Sequence, residues 1–106
     1  MGKECIFLTP NLKASLIDIA FEPAIAKIAE EITENEKAGW LTRYLDEARA
    51  VCMKKNVPVC DCNRLWNVLK DNGVEINDLL SNRLNHPIEE LHFMFAYELV
   101  RTMFLN

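Results

Sequence analysis

A chain of 106 residues in which half are apolar, a quarter are charged and only seven are Gly or Pro has the makeup of one folded domain over residues 1–106, not of a linker or a disordered tail. Sixteen acids against twelve bases give a formal charge of -4, and no basic run is longer than Lys54-Lys55, so the footprint of a nucleic-acid or anionic-lipid binder is missing. The opening MGKECIFLTP has too short an apolar run for a signal peptide and no stretch approaches a bilayer span; the expectation is a soluble, unexported, cytoplasmic protein.

Along the chain, ECIFL (residues 4–8) reads as a short strand stopped by the turn formers Thr9, Pro10 and Asn11. Leu12, Leu16 and Ile19 stand at helical spacing, which predicts a short helix that Pro23 interrupts. Pro23 suits the first turn of a longer helix with Ile25, Ile28, Ala29 and Ile32 on one face. The polar stretch ENEKAGW with Gly39 reads as a break. Beyond it Leu41, Tyr44, Leu45, Ala48, Val51 and Cys52 define the clearest helix, with Arg43, Asp46, Glu47 and Arg49 facing out.

VPVCDC (residues 57–62) predicts a second strand, and NRLWNVLKDNG a short helix capped by Asn63 and stopped by Gly73. VEINDLL reads as a small helical or turn piece. The last helix is PIEELHFMFAYELVRTMFL, with Pro87 near its first turn. Ile88, Leu91, Phe95, Leu99 and Met103 make one stripe, but Phe93, Met94, Ala96, Val100 and Phe104 leave the helix apolar nearly all round. Such a helix requires burial on two sides.

Strand, helices, strand in that order imply an α/β fold with two parallel strands joined by a right-handed crossover and flanked by helices. Two strands are few for a parallel sheet, which is normally covered on both faces and several strands wide. The sheet is therefore expected to be completed by another segment or by a second copy of the chain.

Four cysteines, Cys5, Cys52, Cys60 and Cys62, are expected as reduced, buried thiols. Cys60 and Cys62 with His86 and His92 match no strong zinc-ligand pattern, and no metal or other cofactor is implied. Trp40 and Trp66 are expected in the core or at an interface.

Three segments in order, IFLTPN, VPVCDCNRLW and LLSNRLNHPIEELHFMFAYEL, resemble the C-terminal half of an SGNH, or GDSL-type, ester hydrolase (lipase/acylhydrolase). The likeness spans nearly the whole chain, and a carbohydrate-esterase-like branch has a similar Asn-x-x-Asn-His-Pro stretch. It implies part of a flavodoxin-like, three-layer fold, with His86 as the catalytic base. A serine hydroxyl attacks an ester once a neutral imidazole takes its proton, and a group on the far ring nitrogen holds the tautomer. The chain lacks the family's Gly-Asp-Ser and Gly-x-Asn-Asp motifs, and Ser15 and Ser81 are its only serines.

The family's acid stands three residues before the His, where this chain has Arg83 flanked by Asn82 and Asn85. Asn82 and Asn85 are candidates to orient the ring, and Asp61 and Asp78 are candidates for the acid. Asp61 is equally readable as the cap of the helix that follows it. The expected function is therefore the C-terminal portion of a serine esterase, supplying His86 and inactive alone, with an ester substrate only in the complete domain. The competing expectation is a non-catalytic interaction module that forms a homodimer through the last helix.

Overall fold

The computed structural model describes residues 3–105. In chain order it contains β1 (Phe7–Leu8), α1 (Pro23–Lys37), α2 (Trp40–Lys54), β2 (Val59–Cys60), α3 (Cys62–Asp71) and α4 (His92–Phe104), with 3-10 turns at Ile76–Leu79 and Glu89–Leu91. β1 and β2 pair in parallel, Phe7 opposite Val59 and Leu8 opposite Cys60. The chain is thus mixed α/β, with four α-helices and two parallel strands among the described residues. Both strands are shorter than their apolar runs suggest.

The helix expected over Leu12–Ile19 is not formed: residues 9–22 contain neither helix nor strand. Residues of this stretch are tied to distant partners instead. The Ala14 N–H donates to the Leu84 carbonyl at 2.8 Å, Asn77 Nδ2 donates to the Leu16 carbonyl at 3.2 Å, and Asp18 is paired with Arg83. α1 opens on Pro23, where the missing N–H has no intrahelical partner to lose. It then runs through Glu34–Lys37, the stretch that reads as a break, and the chain turns only at Gly39, whose φ of 77° is left-handed. α1 packs against α2.

α3 starts two residues earlier than a helix capped by Asn63 would, at Cys62, and its cap is Asp61, whose carboxylate accepts the Arg64 N–H at 3.4 Å. Asn63 cannot serve as the cap because it lies inside the helix, and its own N–H is taken by Thr9 Oγ1 at 2.8 Å. At the other end Pro87 holds the chain extended, so α4 begins at His92, which becomes the first residue of the helix instead of an interior one. α4 packs on β2 and α3.

Trp66, fully buried, is the largest side chain of the core, which also contains Leu12, Ala14, Ala29, Ile76, Leu80 and Leu84. The irregular segment after β1 and the loop before α4 thus meet in one core with α1 and α3. Cys52, Cys60 and Cys62 are buried as expected, whereas Cys5 is exposed. Trp40 is outside the core, with the Arg43 guanidinium over its ring at 4.2 Å.

The radius of gyration is 15.4 Å, against about 13 Å for a compact domain of this length. The accessible surface of 7660 Å² exceeds the roughly 6,000 Å² expected of a monomer of this mass. Large apolar side chains contribute to it: Leu16, Ile28, Tyr44, Phe93 and Phe104 are all exposed. Among the described residues no helix is long and apolar enough to cross a membrane.

Candidate functional site

His86 closes a tight loop between the core residues Leu80 and Leu84 and the extended Pro87. An antiparallel bridge joins Leu80 to Pro87, reinforced by the Ser81 N–H on the His86 carbonyl at 2.7 Å and the Ile88 N–H on the Leu79 carbonyl at 2.9 Å. Inside the loop, Asn82 Oδ1 accepts three successive backbone N–H groups, from Leu84, Asn85 and His86, at 3.1, 2.9 and 3.0 Å. Its Nδ2 donates to Asn85 Oδ1 at 2.7 Å. Local side-chain bonding of this kind is what makes Asn a turn former.

The left-handed φ of 57° at Arg83 lets the chain wrap round the Asn82 side chain. The strain is held by two ion pairs: the Arg83 guanidinium bonds Asp78 at 3.0 Å and also bonds Asp18. Hydrogen bonds from Arg83 and Asn77 hold the Asp18 carboxyl below its ordinary pKa, and the two carboxylates keep Arg83 firmly protonated. Asp78 is therefore a partner of Arg83, not an acid beside His86.

The segment leaving the carboxyl end of β1 braces the same loop. Asn11 Nδ2 donates to the Asn85 carbonyl at 3.1 Å and to the Leu12 carbonyl at 2.7 Å. Next to it, Thr9 Oγ1 donates to Asp61 Oδ1 at 2.9 Å. The Arg49 fork grips both oxygens of Asp61 at 2.9 Å and touches Asn63 Oδ1 at 3.3 Å. Arg49, expected to face outward, is thus turned in to the strand ends.

Burial alone would raise the Asp61 carboxyl, but the hydrogen bonds from Arg49 and Thr9 outweigh it and hold the pKa below the ordinary value. A depressed carboxylate stabilises the fold above its unfolded pKa of about 3.9, and that contribution is lost as pH falls through the folded value. Asp61→Asn keeps a capping oxygen and loses the charge. Its stability deficit, followed by urea unfolding, is expected to be constant from neutral pH down to about pH 5 and to shrink in more acidic solution. A deficit independent of pH would show that the ion pair contributes nothing.

His86 is exposed, and among the described residues no side chain hydrogen-bonds its ring. Of the three candidates to orient it, Asn82 and Asn85 hold the loop's backbone and each other, while Asp61 is committed to Arg49, Thr9 and the start of α3. The Ser81 hydroxyl donates to the His86 backbone carbonyl at 3.3 Å and not to the imidazole. His86 lines none of three clefts formed among the described residues. One, of about 820 Å³, lies among Ile6, Val57, Pro58, Met103 and Phe104, at the amino ends of the strands.

Cys60 and Cys62 face each other with their sulfurs 3.8 Å apart. Burial, followed by the neighbouring Cys60, pushes the Cys62 thiol up to about 12, so it does not present a thiolate at neutral pH. Among the described residues no three His, Cys, Asp or Glu side chains are grouped to hold a metal ion.

Sequence reasoning did not find Thr9, Asn11 and Arg49 as parts of this framework. Only the position of TPN at a strand end hinted at the first two, since the carboxyl ends of parallel strands are where loops gather. Chemically the arrangement offers one accessible imidazole on a braced loop, able to exchange a proton with a group brought to it from outside. No family model, curated protein or solved structure matches the chain.

Proposed function

We propose that this chain is the C-terminal half of an SGNH-type ester hydrolase of the carbohydrate-esterase-like branch, supplying His86 as general base. The observation that supports it most is the accessible His86 on a loop tied, through Asn82 and Asn11, to the segment leaving the carboxyl end of a parallel strand. That is where an imidazole has to stand to meet a nucleophile delivered from a neighbouring strand-turn. The two-stranded sheet is then part of a wider, flavodoxin-like sheet between helical layers.

In the complete domain a serine hydroxyl from the missing half would lose its proton to His86 as it attacks the ester carbonyl. The imidazolium would return that proton to the departing alcohol, and water would repeat the cycle on the acyl-serine. The oxyanion donors would also come from the missing half. The ring's far nitrogen needs an acceptor, and with Asp61, Asp78, Asn82 and Asn85 already engaged, a group of the missing half would provide it.

The purified chain alone is expected to hydrolyse p-nitrophenyl acetate no faster than buffer. Fused behind the Gly-Asp-Ser-bearing N-terminal half of an SGNH hydrolase, it is expected to restore turnover that falls about 10,000-fold or more on His86→Ala. Hydrolysis by the isolated chain that His86→Ala abolishes would overturn the reading. So would restored turnover that survives the substitution.

A further inference from the structure

α4 carries two apolar faces, and only one is used. Leu91, ahead of the helix, and Met94 and Phe95 within it pack on the core, and Glu98 is buried beside them with its carboxylate held by Arg101. On the opposite side Phe93, Tyr97, Val100 and Phe104 are 78, 67, 54 and 73% exposed. At 100° per residue these four fall within about 60° of one another, a single straight stripe roughly 17 Å long. A helix face that met only solvent would be polar.

The order of the stripe indicates what covers it. The four residues are spaced four, three and four apart, so the pattern reads the same from either end of the helix. In an antiparallel pair of identical helices, Phe93 then meets the partner copy's Phe104, and Tyr97 meets its Val100. Each contact occurs twice about an axis between Tyr97 and Val100. A two-fold interface demands this self-complementarity, and a contact with an unrelated surface does not.

The area is sufficient as well. Three largely exposed aromatics and a valine on each of two copies bring together on the order of 1,000 Å² of apolar surface, the threshold for a specific interface. Antiparallel helices at the usual 8–10 Å separation also set their dipoles in opposition.

We infer that this face of α4 is the seam of a homodimer in which two copies pair antiparallel through Phe93, Tyr97, Val100 and Phe104. The seam does not rest on the hydrolase reading. His86 is outside the stripe, so a complete hydrolase domain or an inactive module can dimerise in the same way.

Light scattering on a gel-filtration column tests the pairing, and the purified chain is expected at twice 12.2 kDa. The double variant Tyr97→Glu, Val100→Glu is expected at the monomer mass with its circular dichroism unchanged, since both side chains are exposed. Orientation is read by disulfide trapping in a Cys5→Ser background, which removes the exposed native thiol. A mixture of Phe93→Cys and Phe104→Cys chains is expected to cross-link, while either variant alone is not, its own copies of the thiol being about 17 Å apart. A monomeric wild type at high micromolar concentration would overturn the seam. So would a dimer that ignores the two glutamates, or single variants that cross-link with themselves better than with each other.

Discussion

Replacing Trp66 with Ala is expected to destabilise the chain by about 3–5 kcal/mol. For a domain this small that is a large part of the whole folding free energy, so the urea midpoint should collapse or the transition disappear. Trp66 has no exposed surface and belongs to one buried cluster with Leu12 and Ala14 after β1, Ala29 of α1, and Leu80 and Leu84 of the His86 loop. The cavity left by Ala would be lined by segments that cannot all shift to fill it. Trp66→Phe is a separate case. The indole N–H is buried without a hydrogen-bond partner among the described residues, so Phe loses some volume but also removes that donor, and a cost of about 1 kcal/mol is expected. Equal costs for Ala and Phe would show that the side chain is not the keystone of the core.

Asn82→Ala should cost about 2–3 kcal/mol and loosen the loop that presents His86. One carbonyl oxygen serves the N–H groups of Leu84, Asn85 and His86, and Ala leaves all three without their acceptor, with water able to reach only some of them. Asn82→Asp retains the oxygen and adds a charge that backbone N–H groups favour, so it should stay within about 1 kcal/mol of wild type. Hydrogen exchange separates the two cases. The amides of Leu84, Asn85 and His86 should exchange fast in the Ala variant and remain protected in the Asp variant. Protection that survives Asn82→Ala would mean that the Leu80–Pro87 bridge alone sets the loop.

Helices whose polar and apolar residues alternate at the helical period were legible in the sequence, α2 above all. Where the helix expected after β1 failed, contacts between distant residues had displaced a local preference. Leu12–Ile19 has helical spacing, yet Ala14, Leu16 and Asp18 each bond to residues of the 77–84 region, and nothing in the local pattern signals that. ENEK looked like a break because it is polar, but it is the solvated last turn of α1, and only the left-handed Gly39 stops the helix.

The candidate site divides along the same line. Asn82 as a turn former and Pro87 as a boundary are local features and could be read in advance. The engagement of Asp61 by Arg49 and Thr9 could not, because it depends on residues 12 and 52 positions away in the chain being brought to it. Asp61 as a helix cap was one of two open readings, and the Arg64 N–H on its carboxylate favours that one.

The bonds that brace the His86 loop span long stretches of chain: 74 residues from Asn11 to Asn85, 65 from Asp18 to Arg83, 61 from Leu16 to Asn77. The bonds of α1, α2 and α3 are local and can form within a microsecond or so of one another. Each brace requires the two ends of the chain to meet, and the entropy of closing such a loop must be met before the contact returns anything. The helices are therefore early structure and the geometry around His86 is late structure, so the pace of folding is set by the search of the segment after β1 for the loop before α4.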